Sequence, residues 1–266
     1  MLTNIQLLDI ANQKLLIGDL SDPELLEFCR VANEMYRSGN PIISDENYDF
    51  IFIPELAKRL PENQFLHKVE IDSESFSEVK IKLPEKMLST DKAYSWGEIN
   101  KWLERITKFS EEINFPLNDI QIKGTAKLDG FAGYDDGNKL YTRGDGNKGS
   151  DISRVFDRGL GVFSNSARGQ GPGEIVVKRS YFEKHLSNHF EFPRNFQASL
   201  IKEKELDSFA IDAISEKAAL FVPFAQLPQW LGSIDEFSSQ FLDIVGQLEG
   251  GVDFDIDGVV FEIVNP

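Results

Sequence analysis

The chain has 266 residues and a hydrophobic fraction of 41%, enough to bury the core of one large domain or two smaller ones. Its formal net charge of −16 argues against a strong electrostatic grip on nucleic acid, so contact with a phosphate backbone would need a local basic patch or another chain. The single cysteine, Cys29, excludes an internal disulfide and a cysteine-based zinc site. The sequence shows no signal peptide and no apolar run that could span a bilayer, so we expect a cytoplasmic protein without membrane contact.

The first part of the chain predicts a small helical unit. Apolar residues recur at helical spacing from Ile5 to Ala57. Ser21-Asp22-Pro23-Glu24 is typical of a helix start, with proline in the first turn. Asn40-Pro41 should end that helix, and Ser44 should begin another that continues to Pro61.

A polar stretch from Phe65 to Lys86 reads as a linker that ends in a short strand, Val79–Leu83. We therefore expect a helical domain at residues 1–78 and a second domain at residues 79–266. Within the second domain, a loop should precede a helix that Ser95 caps.

Alternating apolar residues from Ile120 to Asp129 predict a strand. The period of two puts Lys127 and Asp129 on one face and points Leu128 into the core. Asp136-Gly137 favours a tight hairpin turn, and the chain should return through Lys139–Arg143.

The remaining pattern predicts an α+β domain of mainly antiparallel sheets with flanking helices. The expected elements are a short helix at 151–161, a strand at 174–177, a helix at 180–190, a loop at 192–195, a strand at 218–224, a helix at 237–248 and a strand at 254–264.

Lys127 is a candidate nucleophile. An amine attacks phosphorus or carbonyl carbon only when deprotonated, which desolvation and nearby cations such as Arg143 favour. Asp129 opposes deprotonation, but a carboxylate can also hold a metal ion. The commoner meaning of an isolated Lys-x-Asp-Gly string is a solvent-facing strand lysine in a surface salt bridge.

Three further patterns bear on chemistry. Gly144–Gly149 matches G-x-G-x-x-G, but a hairpin precedes it where a dinucleotide fold has a βαβ unit, so we expect the glycines to shape a tight turn. Glu174 could hydrogen-bond a ribose or assist a metal, or be a solvated strand end. Asp255 and Asp257 share a face that would suit magnesium, although exposed acidic edges are commoner.

Taken in order, four segments resemble the nucleotidyltransferase motifs of the NAD-dependent DNA ligases of bacteria. They are Lys127-x-Asp129-Gly130, Thr142–Gly146, Gly173-Glu174 and Asp257–Val260. The resemblance also takes in Met87–Ser89, Pro193–Asn195 and Ile43–Asp49, the last of which looks like the helical cap that binds the nicotinamide mononucleotide (NMN) half of NAD.

The resemblance implies an NMN-binding cap at residues 1–78 and an ATP-grasp-like nucleotidyltransferase domain at residues 79–266. By it, Lys127 attacks the α-phosphate of NAD, releases NMN and holds AMP, which then passes to a 5′-phosphate at a nick. The residues it implies are Lys127 and Asp129 for catalysis; Ser89, Thr125, Arg143, Glu174 and Glu262 for the nucleotide; Tyr36, Asp45, Tyr48 and Asp49 for NMN; Arg194 for nucleic-acid phosphate; and Asp129, Glu174 and Asp257 for Mg²⁺.

The chain departs from the family pattern at the base and nicotinamide positions. Thr125 and Glu262 stand where the family usually has a glutamate and a lysine near adenine, and Met35-Tyr36 replaces a tyrosine-histidine pair. A carboxylate at 262 accepts where a lysine would donate. The pocket could therefore prefer another base or bind its nucleotide weakly, or the geometry could simply have shifted.

The resemblance also leaves the last lysine motif of the domain, and the regions that grip DNA in full-length ligases, beyond Pro266. Nicked DNA would then be held by domains or a chain outside this sequence, such as a second ligase subunit. The competing interpretation is a catalytically silent module that binds a nucleotide or a partner ligase chain. A Rossmann oxidoreductase is a distant third, because no βαβ pattern supports it.

Overall fold

The computed structural model describes residues 2–67 and 80–265. The predicted domain boundary at 78/79 and the predicted strand residue Val79 lie outside the described residues. None of the helices in these two ranges is long and apolar enough to cross a membrane.

The helices of the described chain are α1 (Asn4–Ala11), α2 (Asp22–Arg37), α3 (Asp45–Asn47, continued by a π-turn at Tyr48–Phe52 and by Ile53–Arg59), α4 (Gln64–His67), α5 (Trp96–Glu112), α6 (Arg154–Asp157), α7 (Arg179–Tyr181, continued by a π-turn at Phe182–Leu186), α8 (Pro193–Lys202), α9 (Ser208–Ser215) and α10 (Ile234–Gly250). The strands are β1 (Ile81–Lys82), β2 (Gln121–Leu128), β3 (Phe131–Asp135), β4 (Leu140–Thr142), β5 (Lys148–Gly149), β6 (Gly161–Val162), β7 (Gly171–Val177), β8 (Ala219–Pro223), β9 (Gln229–Ser233) and β10 (Ile256–Ile263).

The N-terminal unit is helical, and its helices pack around one apolar core. Helix α2 begins at a capping box, in which the Ser21 amide donates to the Glu24 carboxylate over 2.9 Å. It ends beside Gly39, which has a left-handed φ of 76° and returns its amide to the Tyr36 carbonyl over 2.9 Å. The core side chains are Ile10, Leu20, Leu25, Phe28, Cys29, Ala32, Ile43, Phe52 and Leu56.

The rest of the described chain contains mainly antiparallel sheets, as predicted. A five-stranded sheet has the order β4-β3-β7-β8-β6, and its β6–β8 pair is parallel. A three-stranded sheet has the order β10-β2-β9, and β1 pairs with β5. Apolar residues of β2, β7 and β8, including Leu128, Val176 and Val222, form a core cluster that joins the two larger sheets.

Helices complete the second part on both sides. A large core cluster joins Phe131, Ile175 and Phe221 of the five-stranded sheet to residues of α8 and α9. Aromatic side chains of α5 and α10, such as Trp102 and Phe237, lie against Phe261 of β10 or against one another.

Several predicted elements need correction. The predicted loop at 192–195 is instead the start of α8, where Pro193 takes the first helical turn and the Asn195 side chain accepts from the Phe192 amide over 2.9 Å. The predicted helix at 151–161 is only the short α6, followed by β6. The pattern did not predict α9 or β9; β9 contains Gly232 and follows Pro228, residues that indicate a turn when met in sequence.

Gly39→Ala should destabilise the chain by about 1–3 kcal/mol, because a Cβ there would overlap the Cβ of Ala198 and φ lies in the left-handed region. The matched control is Gly246→Ala within α10, where nothing lies within 4 Å of the added Cβ. Replacing a glycine within a helix should stabilise by about 1 kcal/mol. Urea unfolding of both variants should give opposite signs, and equal signs would contradict the packing at Gly39.

Candidate functional site

Lys127 lies on the half-exposed face of β2. Strand alternation puts Lys123, Thr125 and Lys127 on this face and buries Ala126 and Leu128 between the sheets. Opposite them on β10, the register pairs Lys127 with Gly258 and Thr125 with Val260. The predicted placement of Lys127 and Leu128 on opposite faces is therefore confirmed.

A β-bulge brings Asp257 to Lys127. The register steps from Ile256, opposite Leu128, to Gly258, opposite Lys127, so that Asp257 is the extra residue. Gly258 adopts a φ of 142°, which glycine tolerates better than other residues. Lys127 Nζ donates to Asp257 Oδ2, and the two side chains are 34% and 14% exposed.

Asp257 is a largely buried carboxyl next to the Lys127 ammonium. Burial raises the pKa of this carboxyl, and the Lys127 ammonium partly opposes the rise. Its second oxygen, Oδ1, is buried and makes no hydrogen bond within the described residues. A carboxylate with a raised pKa beside an ammonium can take the proton that the amine must lose before it attacks.

Glu174 lies on β7 and is buried, with only 7% of its surface exposed. Burial raises its pKa to about 8; the charges of Asp129 and Asp257 add to the rise, and those of Arg194 and Lys127 oppose it. Glu174 can approach the end of the Lys127 strand because residue 130 is a glycine: a Cβ at Gly130 would lie 2.8 Å from Glu174 Cγ and overlap the Ile175 carbonyl.

Asp129 follows Lys127 at the end of β2, and the N-terminal unit contacts it. Its Oδ1 accepts from the Tyr36 hydroxyl over 2.5 Å and lies 3.4 Å from an Arg194 nitrogen. Its backbone amide donates to the Asp255 carbonyl over 2.9 Å, and its backbone carbonyl accepts from the side-chain amide of Gln197 over 3.3 Å.

Arg194 has a different environment from the predicted one. The resemblance assigned it to nucleic-acid phosphate, but the side chain is buried, at 9% exposure. Its guanidinium lies between the rings of Tyr36 and Phe131, 3.9 Å and 4.4 Å from their centroids. It donates to the carbonyls of Tyr36 and Gly130. In this structure Arg194 joins the helical unit to the sheets.

The residues predicted to bind NMN differ in their surroundings. Asp49 forms an ion pair with Lys92 over 2.7 Å, and Asp45 begins α3. The Tyr48 hydroxyl donates to the Cys29 carbonyl over 3.1 Å inside the helical unit. Tyr36 contacts Asp129 and Arg194, as described above.

Lys92 was missed by sequence reasoning because it belongs to no motif. It lies on the loop before α5. Burial opposes its charged form, but the hydrogen bond and charge of Asp49 outweigh it and raise the pKa of the amine. Its charge also acts on Asp257, so this loop electrostatically connects the N-terminal unit with the lysine site.

The residues predicted to contact the nucleotide lie on several elements. Thr125 lies between Lys123 and Lys127 on β2, and Glu262 on β10 forms an ion pair with Lys123. Arg143 is half-buried at the turn after β4, and Ser89 is exposed on the loop before α5.

The glycine-rich segment forms a tight turn, as expected. Gly144 and Gly146 both have left-handed φ values, of 56° and 86°. A Cβ at Gly144 would overlap the Lys148 carbonyl, so the backbone leaves no room for a side chain there. The Asp145 carboxylate closes the turn by accepting from the amides of Asn147 and Lys148 over 2.8 Å and 2.7 Å.

Magnesium was predicted at Asp129, Glu174 and Asp257. Across residues 2–67 and 80–265, no group of three or more acidic, histidine or cysteine side chains is arranged to hold a metal by itself. Mg²⁺ at nucleotide sites commonly uses one or two carboxylates and completes its shell with phosphate oxygens and water. The unpartnered Oδ1 of Asp257 fits such a partial site.

These features define a class of protein. A lysine paired with a half-buried aspartate on the half-exposed face of an antiparallel sheet, within electrostatic range of a buried glutamate, is the arrangement of a nucleotidyltransferase. The chain belongs to the family of NAD-dependent DNA ligase adenylation domains, whose family model matches residues 73–205. The resemblance drawn from the motifs is therefore confirmed.

Relatives named DNA ligase match nearly the whole chain. One from Vesicomyosocius okutanii subsp. Calyptogena okutanii is 59% identical over 256 residues, which are 96% of this chain and 40% of that protein. One from Shewanella baltica is 48% identical over 259 residues, 97% of this chain and 40% of that protein. The chain thus spans well under half the length of these curated relatives.

The raised pKa of Glu174 should make stability depend on pH. The pKa is about 8 in the folded chain against an ordinary 4.5. The folded chain therefore holds a proton that the unfolded chain releases between these values. The contribution of Glu174 to stability is complete below the lower value and is lost as the pH rises through the higher one.

Glu174→Gln stays neutral, so between about pH 5 and pH 8 its free energy of unfolding should fall less than that of the wild type. Urea unfolding at a series of pH values measures this difference. Glu104→Gln, at an exposed position on α5, should follow the wild-type curve. Parallel curves for the wild type and Glu174→Gln would contradict a buried, protonated Glu174.

Proposed function

We propose that this chain transfers AMP from NAD to its own Lys127. The Nζ of Lys127 forms a bond to the α-phosphorus of NAD, the bond between that phosphorus and the bridging oxygen breaks, and NMN leaves with the oxygen. The proton released by the amine goes to Asp257. The observation that carries the proposal is the contact between Lys127 and Asp257, which the bulge in β10 creates.

The surrounding residues have separate roles in this proposal. Asp129 and Glu174 face the ribose and phosphates, and Arg143 and Ser89 contact the nucleotide. The NMN half lies against the N-terminal unit, near the segment of α3 that begins at Asp45 and includes Tyr48 and Asp49. A magnesium ion held by Asp257 or Asp129 together with phosphate oxygens would offset the charge that builds on the transferred group.

The second half of the proposal is ligation. AMP on Lys127 passes to a 5′-phosphate at a nick in DNA, as the names of the relatives suggest. A net charge of −16 disfavours extensive electrostatic binding of DNA by this chain alone. We therefore propose that further domains or a second ligase subunit hold the nicked DNA. A cytoplasmic location remains a prediction from the lone cysteine.

Lys127→Ala should abolish the AMP adduct, because no other group replaces the attacking nitrogen. Intact mass after incubation with NAD and magnesium measures the adduct, and the wild type should gain one AMP. Lys139→Ala is the matched control, since Lys139 is also a strand-end lysine paired with an aspartate, at 2.8 Å from Asp151. An adduct that persists in Lys127→Ala would contradict the assignment.

NAD presents adenine to this pocket, but the ion pair of Glu262 with Lys123 should make the pocket bind isolated GMP more tightly than isolated AMP. Glu262 and Lys123 form a carboxylate and ammonium pair on the face that carries Lys127. Guanine offers two neighbouring N–H donors and the O6 acceptor, which this pair can satisfy, whereas adenine offers one amino group.

Calorimetric titration of AMP and GMP separately tests this preference. Glu262→Lys, which removes the carboxylate, should shift the preference toward AMP by about tenfold. Asp151→Lys, which removes the carboxylate partner of Lys139, should leave the ratio unchanged. Equal and weak binding of both nucleotides to the wild type would contradict a base preference.

A further inference from the structure

Tyr36 is the point at which the helical unit touches the strand of the nucleophile. It lies in the last turn of α2, and its ring centroid lies 3.9 Å from the Arg194 guanidinium carbon. Its hydroxyl donates to Asp129 Oδ1 over 2.5 Å. Asp129 is two residues from Lys127, so one side chain of the N-terminal unit reaches directly into the reacting segment.

The position of Tyr36 is set by the backbone around it. Gly39 packs against Ala198 of α8 so closely that a Cβ would overlap. The Asn195 side chain donates to the Gly39 carbonyl over 3.2 Å, and Lys202 donates to the Ser38 carbonyl. The end of α2 is therefore held by α8 on its carbonyl side.

The second donor near Asp129 uses the same oxygen. An Arg194 nitrogen lies 3.4 Å from Oδ1 and 3.3 Å from the Tyr36 hydroxyl, and Arg194 Nε donates to the Tyr36 carbonyl over 2.9 Å. Two donors that converge on one carboxylate oxygen restrict rotation of the carboxylate. The orientation of the second carboxylate oxygen, Oδ2, is thereby fixed as well.

We propose that Tyr36 is a positioning residue, which orients the Asp129 carboxylate toward the dinucleotide through its hydroxyl. The inference rests on the proposed adenylation of Lys127. Tyr36 is then a residue that orients Asp129 and not one that binds nicotinamide. The rate of adenylation at Lys127 then depends on the packing of the helical unit against α8.

Tyr36→Phe tests this role, because phenylalanine keeps the ring against Arg194 and removes only the hydroxyl. The single-turnover rate of lysyl-AMP formation at saturating NAD should fall by about tenfold or more. The KM for NAD should change by less than about twofold. The matched control is Tyr141→Phe, which removes a hydroxyl that donates to Asp136 over 3.1 Å at the hairpin turn, and it should leave both values unchanged.

A nicotinamide contact would give the reverse pattern, a raised KM with an unchanged saturating rate, and that result would overturn the inference. An unchanged rate and KM in Tyr36→Phe would overturn it as well. If the wild type itself forms no adduct, the proposed function fails first, which separates the two failures.

The contact can also be measured without catalysis. Tyr36→Phe, Asp129→Asn and the double variant form a cycle of urea unfolding free energies. If the hydroxyl and the carboxylate interact in solution, the two changes should be non-additive by more than the scatter expected of independent sites. Additive changes would overturn the inference, because the hydroxyl would then not act through Asp129.

Discussion

The contact between Lys127 and Asp257 is the interaction on which the site depends. It exists because β10 carries one residue more than β2 at that point, so that Asp257 turns toward the face of Lys127. An ammonium and a carboxylate in a half-buried position hold each other in place, and one proton moved between them gives a neutral amine. In the proposed transfer, this contact holds the two strands together beforehand and accepts the amine proton during the reaction.

Charge is distributed unevenly around this contact. Glu174 is buried with a pKa raised to about 8, and burial also raises the pKa of Asp257. The Lys127 ammonium opposes both pKa shifts, and the Arg194 guanidinium opposes that of Glu174. These positive charges allow several acidic groups to lie close together. A site that must accept a polyphosphate benefits when one of its carboxyls is neutral, because each negative charge removed lowers the repulsion.

The helical unit is part of the site by direct contact. Arg194 was expected to face nucleic acid, yet its guanidinium is buried between two rings and joins α2 to the loop after Lys127. Arginine suits this place, since its planar group stacks on aromatic faces while its edges donate hydrogen bonds. Lys92 makes a second connection through Asp49. Substitutions in the helical unit should therefore alter the surroundings of Lys127 through these hydrogen bonds and this ion pair.

Much of this could be predicted from the sequence by itself. Periodicity and turn residues determined the helical first part, the strand of Lys127, the hairpin at Asp136-Gly137 and the tight turn at Gly144, because these depend on neighbours within a few residues. The order of the motifs determined the family.

Only the tertiary structure decided the contacts between segments that are distant in the chain. Examples are the pairing of Lys123 with Glu262, the burial of Arg194, the link of Lys92 to Asp49, and the donation from Tyr36 to Asp129. No local pattern contains these contacts, since each depends on how strands align and how α2 packs against α8.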